Sequence, residues 1–406
     1  MHVIEIDSQQ STMDLEDLYY YSVLMDDGLS ADEKKRRDRR IPRCAVKGFL
    51  DSPFKYLFGS GNDQALMNLT GTDHSTFREL LHLFQPCYEG YTFKDGVVKR
   101  TTLTRNGKRK GRSRELDATG CLGLVLYWYR TRGSCARSIA MVFGLTSTPM
   151  YNWLRFGRRI LLYAIQNAPD TKVIMPTEEE LEKFVTAVKS KYPVLDGVWG
   201  ACDGLKIPIE ASTNYLKQNK YYNGWQHGHY VNSVFVFSID GRIRICCLNC
   251  PGCWHDSTIA SYGVYEKMQS LFNQHGVKVV VDSAFKVSRN ESACLIKSSQ
   301  EDPVVDGHSL LVNRAATSVR QPSEWGMRTI QAQFPRLKDP LAYEERGERK
   351  VILQLMVNLY NFQTTKVGIN QILNTYMPKV ETLSAGEPYP FIYNYEVAPD
   401  ANNIFG

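Results

Sequence analysis

Three acidic side chains carry the chemistry that this chain suggests. Asp203 lies in VWGACDGLKIPIE, at the end of a strand-like run. Asp282 closes the apolar run of VKVVVDSAF. Glu324 lies in SVRQPSEWGMRTIQAQFPRLK, which reads as a helix. Carboxylate oxygens are what hard cations such as Mg²⁺ and Mn²⁺ prefer. Two such ions about 3.5–4 Å apart neutralise the attacking and leaving oxygens of a phosphodiester displacement. One Asp bridges both ions in that arrangement, and the other two acids hold one each. Asp203, on the first strand, is the candidate bridge. Each acid also has an ordinary structural explanation. An Asp at a strand end is commonly a turn or capping residue. Glu324 stands four residues from both Arg320 and Arg328, the spacing of a helical salt-bridge ladder.

The elements that must position these acids begin near residue 196, where the pattern becomes α/β. A strand near 197–203 carries Asp203, a second runs over about 230–240, and Asp240-Gly241 predicts a hairpin turn into RIRICCLNC. STIASYGVYEKMQSLFN predicts a helix started by Asp256 or Ser257. The strand ending at Asp282 follows, then the Glu324 helix and a long C-terminal helix over RKVILQLMVNLYNFQTTKVGINQIL. Strand, strand, strand, helix, strand, helix is the ribonuclease H-like order. It predicts that the first and fourth strands lie side by side in parallel, with Asp203 and Asp282 on one rim.

Upstream, TDHSTFRELLHLF predicts a helix with Ser75 or Thr76 near its N-cap. Residues 91–115 read as a basic loop ending in NGKRKGRSR. Three helix-like segments follow, in LDATGCLGLVLYWYRTRG, CARSIAMVFGL and TPMYNWLRFGRRILLYAI; Thr148-Pro149 is a start signal for the third. A short helix, a Gly-containing turn and a second helix is helix-turn-helix order. It predicts Tyr151, Asn152, Arg155, Arg158 and Arg159 as exposed, DNA-contacting residues. An ordinary helical bundle has the same pattern.

Charge is unevenly spread. The chain of 406 residues carries a net charge of +6, yet residues 1–33 hold nine acids and no Lys or Arg. Residues 34–114 hold nineteen basic residues against seven acidic, including Lys108, Arg109, Lys110 and Arg112. That asymmetry points to a polyanionic partner, although a single basic run is also what a solvated charged loop looks like. KKRRDRR at 34–40 is a short basic run of the nuclear-localisation or nucleic-acid type, and the first of these readings gives a nuclear location. No apolar run reaches the ~18 residues of a membrane span. The opening residues lack the basic and apolar regions of a secretory signal. The ten cysteines are accordingly expected to be reduced.

Other motifs compete. CLNCPGCWH places Cys247, Cys250, Cys253 and His255 at C-x2-C-x2-C-x-H, residue types that ligate zinc. Two residues between successive cysteines is tight for three ligands on one ion, and the segment reads better as the end of the third strand. Cys202, beside Asp203, reads as a core residue. The aromatic run YLKQNKYYNGWQHGHY, with three lysines, suits either nucleic-acid stacking or packing on the sheet edge.

With these blocks in hand, residues 116–375 resemble the PIF/Harbinger family of DDE transposases. The third-acid block carries most of the resemblance. Asn313, Arg320 seven residues on, Glu324 four further, and Phe334 and Leu337 ten and thirteen residues after the Glu all fit the family pattern. ACDGLKIPIE, PGCWHDSTI and VVDSAF resemble the family's other blocks. The resemblance implies Asp203, Asp282 and Glu324 as the catalytic, metal-binding acids, with His255, Asp256, Asn313 and Arg320 in support. Asp256 reads equally well as the N-cap of its helix. Where the family often has a His three residues after the Asn, this chain has Ala316. Trp325 and Met327 replace commoner basic and aromatic residues. No metal ligand is lost by these departures.

The expected organisation is a disordered tail over 1–43, acidic then basic, and a helical segment with a basic loop over 44–115. A helix-turn-helix-like DNA-binding domain follows over 116–190, then a ribonuclease H-like nuclease domain over 191–380 and a C-terminal tail over 381–406. The expected function is a DNA transposase that cuts transposon ends and joins them to target DNA, using two Mg²⁺ or Mn²⁺ ions. A homodimer is implied, because two ends must meet; relatives often need a separate Myb-like DNA-binding partner. The competing reading is a host-adopted relative that binds DNA or acts as a scaffold without transposition.

Overall fold

The computed structural model describes residues 44, 46–94, 97–104, 113–285, 292–298, 307–343, 345–367 and 371–377. The expected tails, the basic run at 34–40, and Lys108, Arg109, Lys110 and Arg112 lie outside the described residues.

The N-terminal helices are α1 (Pro53–Gly59), α2 (Asp63–Thr70), α3 (His74–Gly90), α4 (Ala118–Arg130), α5 (Ala136–Val142) and α6 (Ser147–Ile165). The N-cap of α3 is Asp73, whose carboxylate accepts from Thr76 N at 2.7 Å, and not Ser75 or Thr76. Asp is as good a cap, and it sits one residue ahead of the helical stripe. Residues 91–94 and 97–100 are not loop: β1 (Tyr91–Lys94) pairs antiparallel with β2 (Val97–Arg100). Helix α7 (Glu178–Lys191) opens on a capping box in which Thr177 and Glu180 satisfy each other's backbone N–H.

The main sheet contains β3 (Val198–Pro208), β4 (Tyr222–Asn223), β5 (Gly228–Ser238), β6 (Ile243–Pro251), β7 (Lys278–Asp282) and β8 (Leu295–Ser298). Helix α8 (Tyr215–Tyr221) precedes β4. β3 is flanked by β5 and β7, β8 lies outside β7, and β4 and β6 pair with β5 on its outer side. β5 runs antiparallel to both β3 and β6, while β7 and β8 run parallel to β3. The predicted parallel pairing of the first and fourth strands is present. The hairpin turn at Asp240-Gly241 is present too, with Gly241 at φ 83 and its N–H on Ser238 O at 2.9 Å. The single helix expected after β6 is two helices, α9 (Asp256–Ala260) and α10 (Val264–His275). They break at Gly263, whose φ of 92 ends one helical path and starts another.

Helices α11 (Gly307–Gln333), α12 (Arg346–Val367) and α13 (Gln371–Tyr376) complete the described chain. One face of the sheet, with Leu205, Ile207, Phe235 and Phe237, shares an apolar core with α1–α6 and α12. The other face, with Cys202, Val234 and Val236, packs with α7, α9, α10 and α13. Helix α12 clamps the hairpin end of the sheet. Asn361 donates to Ile243 O at 3.0 Å and accepts from Ile243 N at 2.8 Å, and Tyr360 donates to Gly241 O at 3.0 Å. Helix α11 serves both cores, giving Ala315, Ala316 and Val319 to the second and Met327 and Ile330 to the first, where Phe334 joins just past its end. Arg320 and Glu324 occupy the stretch between.

Candidate active site

Asp203 is not at a strand end. It is central in β3, because Leu205, Ile207 and Ile209 continue the inward alternation after it. What ends beside it is β7. The parallel register sets Cys202 against Val281, so Asp203 and Asp282 follow as the next pair and point to the same face. Asp282 is the last residue of β7, and its Oδ1 accepts from Ser283 N at 2.7 Å. Asp203 Oδ1 accepts from Gly204 N at 2.8 Å.

Helix α11 brings its charged turn to this rim. Its close approach needs Gly326, since a Cβ there would stand 2.8 Å from the Phe237 ring. Arg320 then joins the acids: its Nη1 is 3.8 Å from Asp282 Oδ2 and its Nη2 is 3.0 Å from Glu324 Oε1. The i, i+4 pair of Arg320 and Glu324 expected from the sequence is therefore real, and it extends to Asp282 on the sheet. Asn313 stands two turns before Arg320 on the same helix, half-buried. Ala316 is fully buried against the sheet, so the commoner His of the family pattern is replaced here by a core residue.

A fourth carboxylate joins from below. Asp256 is the first residue of α9 and His255 is the N-cap, so the capping role that the sequence offered Asp256 falls to its neighbour. The Asp256 carboxylate lies against Gly204, where a Cβ would come within 2.5 Å of it. Asn232, fully buried on β5, donates to Asp256 Oδ1 at 3.2 Å and to Trp254 O at 3.1 Å. Gly204 and Asn232 are site residues that the sequence reading missed. The only signal was a polar Asn inside the apolar run of β5 and a Gly immediately after the acid.

The electrostatics are those of crowded anions. Burial pushes the Asp203 carboxyl up to about 6; the Gly204 N–H and Arg320 oppose this, and Asp256 and Asp282 add to it. Burial also raises Asp256, against Lys206 and His255 and with Asp282. Cys202, fully buried, has its thiol pushed up by burial and by Asp203, as befits a core residue.

Among the described residues no three His, Cys, Asp or Glu side chains stand close enough to hold one ion together. The donor set itself fits a hard divalent cation. It is all carboxylate, it sits on one rim, and its most buried member is strained as an anion, which a cation would relieve. Asp203, Asp282 and Glu324 are the residues that would hold it, by drawing closer together than they stand.

The residues expected to touch DNA divide. Tyr151 and Asn152 are exposed on the second turn of α6. Arg158 is not: it is 5% exposed, with its guanidinium carbon 3.7 Å from the Trp128 ring centroid, and burial pulls it down to about 10. Arg155 and Arg159 turn towards the buried Glu348 of α12, at 3.6 Å for Arg155 and closer for Arg159. Helix α6 thus spends its arginines on packing, because its C-terminal two-thirds lie between α3, α4 and α12. The aromatic run also divides. Tyr221 packs on Tyr343, with ring centroids 5.5 Å apart, whereas Tyr215 and Trp225 are exposed, Trp225 at 89%.

No curated protein and no solved structure matches the chain. Residues 202–361, which begin at Cys202 and contain Asp203, Asp256, Asp282 and Glu324, match the family model described as DDE superfamily endonuclease, so the segment that carries the acid cluster is similar to these endonucleases.

Proposed function

We propose that this protein is a metal-dependent DNA endonuclease and strand transferase of the PIF/Harbinger type, built on a ribonuclease H-like domain. The observation that carries the reading is the register of β3 against β7, which sets Asp203 beside Asp282, with Glu324 tied to Asp282 through Arg320. The sheet order, with an antiparallel β3–β5–β6 run on one side of β3 and the parallel β7 and β8 on the other, supports the ribonuclease H-like assignment.

Divalent cations bound here would supply charge neutralisation on the attacking and leaving oxygens of an in-line displacement at phosphorus. The chain's own residues do the rest. Asp203, central and most buried of the three, would be the ligand shared between the cations, with Asp282 and Glu324 each holding one. Arg320 orients both of these acids and tempers their mutual repulsion. Asp256, seated on Gly204 and fixed by Asn232, adds negative potential behind Asp203. Hydrolysis at a transposon end frees a 3′-hydroxyl, and attack of that hydroxyl on target DNA is a second in-line displacement that the same site serves. The reading carries with it a homodimer that brings two ends together, a Myb-like DNA-binding partner and a nuclear location. The exposed Tyr151 and Asn152, with the basic 105–112 segment, are its DNA contacts, weakened by salt.

The test is nicking of DNA that carries the element's ends, in Mg²⁺ or Mn²⁺. Wild type should nick and Asp203→Ala should not. Equal behaviour of the two proteins defeats the catalytic reading and leaves the DNA-binding, host-adopted alternative.

A further inference from the structure

The end of β6 carries two thiols that the acid cluster does not use. Val234 of β5 pairs with Cys247, and Asn232 pairs with Cys250. Two steps on β5 therefore face three on β6, which is a β-bulge with one extra residue. Asn249, at φ 60, supplies the turn of the backbone. It is held on three sides: its N–H donates to Ser233 Oγ at 3.3 Å, its Nδ2 donates to Arg346 O at 3.4 Å, and its Oδ1 accepts from Arg349 Nε at 3.3 Å. Arg349 is itself buried, so the bulge is anchored in the core.

The bulge changes what the C-x2-C spacing means. In a regular strand, residues three apart point to opposite faces and lie about 10 Å apart. With one residue bulged out, Cys247 and Cys250 stand as i and i+2 would, on one face and about 6.6 Å apart at Cα. That separation is within the span of a disulfide. Their Sγ atoms are in contact at 3.5 Å. Cys250 is buried and Cys247 half-buried, so one thiol is reachable and the other is shielded behind it. The hydrogen bond from Cys250 also holds the Cys247 thiol below its ordinary value, favouring the thiolate that does the attacking.

We propose that Cys247 and Cys250 form a redox-active dithiol, which a small disulfide of the glutathione class oxidises to an intrastrand disulfide. The Cys247 thiolate attacks one sulfur of the oxidant and expels one small thiolate, which takes up a proton. The Cys250 thiol loses its proton to solvent as its sulfur attacks the Cys247 sulfur of the mixed disulfide, and the second small thiol leaves. Two protein thiols are oxidised by two electrons, and one disulfide is reduced to two thiols. Cys250 is the cross-strand partner of Asn232, which holds Asp256, so the bond forms one strand away from the acid cluster.

The test treats the full chain with oxidised glutathione, quenches with acid, alkylates free thiols and maps peptides by mass. The expected result is a loss of two hydrogens on the segment carrying Cys247 and Cys250, with no glutathione on it. In Cys250→Ser, Cys247 should keep glutathione as a lasting mixed disulfide, because the resolving thiol is gone. In Cys253→Ser, the bond should still form, which keeps the test intact if Cys250→Ser does not fold. Unmodified thiols, lasting glutathione on wild-type Cys247, or a bond made to Cys253 would each overturn the proposal.

Discussion

Gly204→Ala isolates the contact that seats the fourth carboxylate. A Cβ at this position would stand 2.5 Å from the Asp256 carboxyl carbon, whereas carbon atoms rest comfortably at about 3.5 Å. The carboxylate must therefore retreat by about 1 Å. The Asn232 hydrogen bond to Asp256, already at 3.2 Å, is then broken. A hydrogen bond to a charged group contributes about 1.5–3 kcal/mol, and overpacking costs about 1–3 kcal/mol. The substitution should thus destabilise the protein by about 2.5–6 kcal/mol. The control is the same change in an Asp256→Ala background, where the obstructing atoms are gone. There, replacing a strand Gly with Ala should be neutral or stabilising by about 0.5–1 kcal/mol. Urea denaturation of the four proteins gives the double-mutant cycle, and the coupling should exceed about 2 kcal/mol. If Gly204→Ala costs the same in both backgrounds, Asp256 is not seated on Gly204 and its place in the site is wrong.

The raised Asp203 carboxyl makes stability depend on pH. Its folded value of about 6 lies above the unfolded value of about 3.9, so the stability it contributes is full below about pH 4 and is lost as pH rises through 6. Asp203→Asn should accordingly be more stable than wild type at pH 7.5, by about 2–3 kcal/mol, and the difference should vanish near pH 4. Urea midpoints at the two pH values check this, and a difference that grows on acidification contradicts it. Arg158→Met should lower the urea midpoint while leaving the salt slope of DNA binding unchanged, since the guanidinium faces Trp128 and not phosphate. A shallower slope would return Arg158 to the DNA surface.

Much of the α/β segment was legible because β-strands written in Val, Ile and Phe between Gly-rich turns are strong signals. The parallel placement of β7 beside β3 followed from the element order, and with it the pairing of Asp203 with Asp282. The position of Asp203 within its strand was not legible, because a run such as GLKIPIE, with its Gly and Pro, reads as an exit from the sheet. Neighbouring strands overrode that local preference. The arginines of α6 were misread for a related reason. A charged side chain on a helix looks exposed until tertiary packing supplies a buried partner, here Trp128 for Arg158 and Glu348 for Arg155 and Arg159. The bulge at Asn249 had no sequence signature at all, since only the register against β5 reveals the extra residue.

Cation binding tests the central claim most directly, because it reads the acids without requiring the right DNA. Mn²⁺ titration followed by electron paramagnetic resonance should count about two ions on the wild-type chain. If Asp203 is the shared ligand, Asp203→Asn should lose both, and Asp282→Asn and Glu324→Gln should each lose one. Unchanged stoichiometry and affinity in Asp203→Asn, with the fold intact by circular dichroism, would contradict the account.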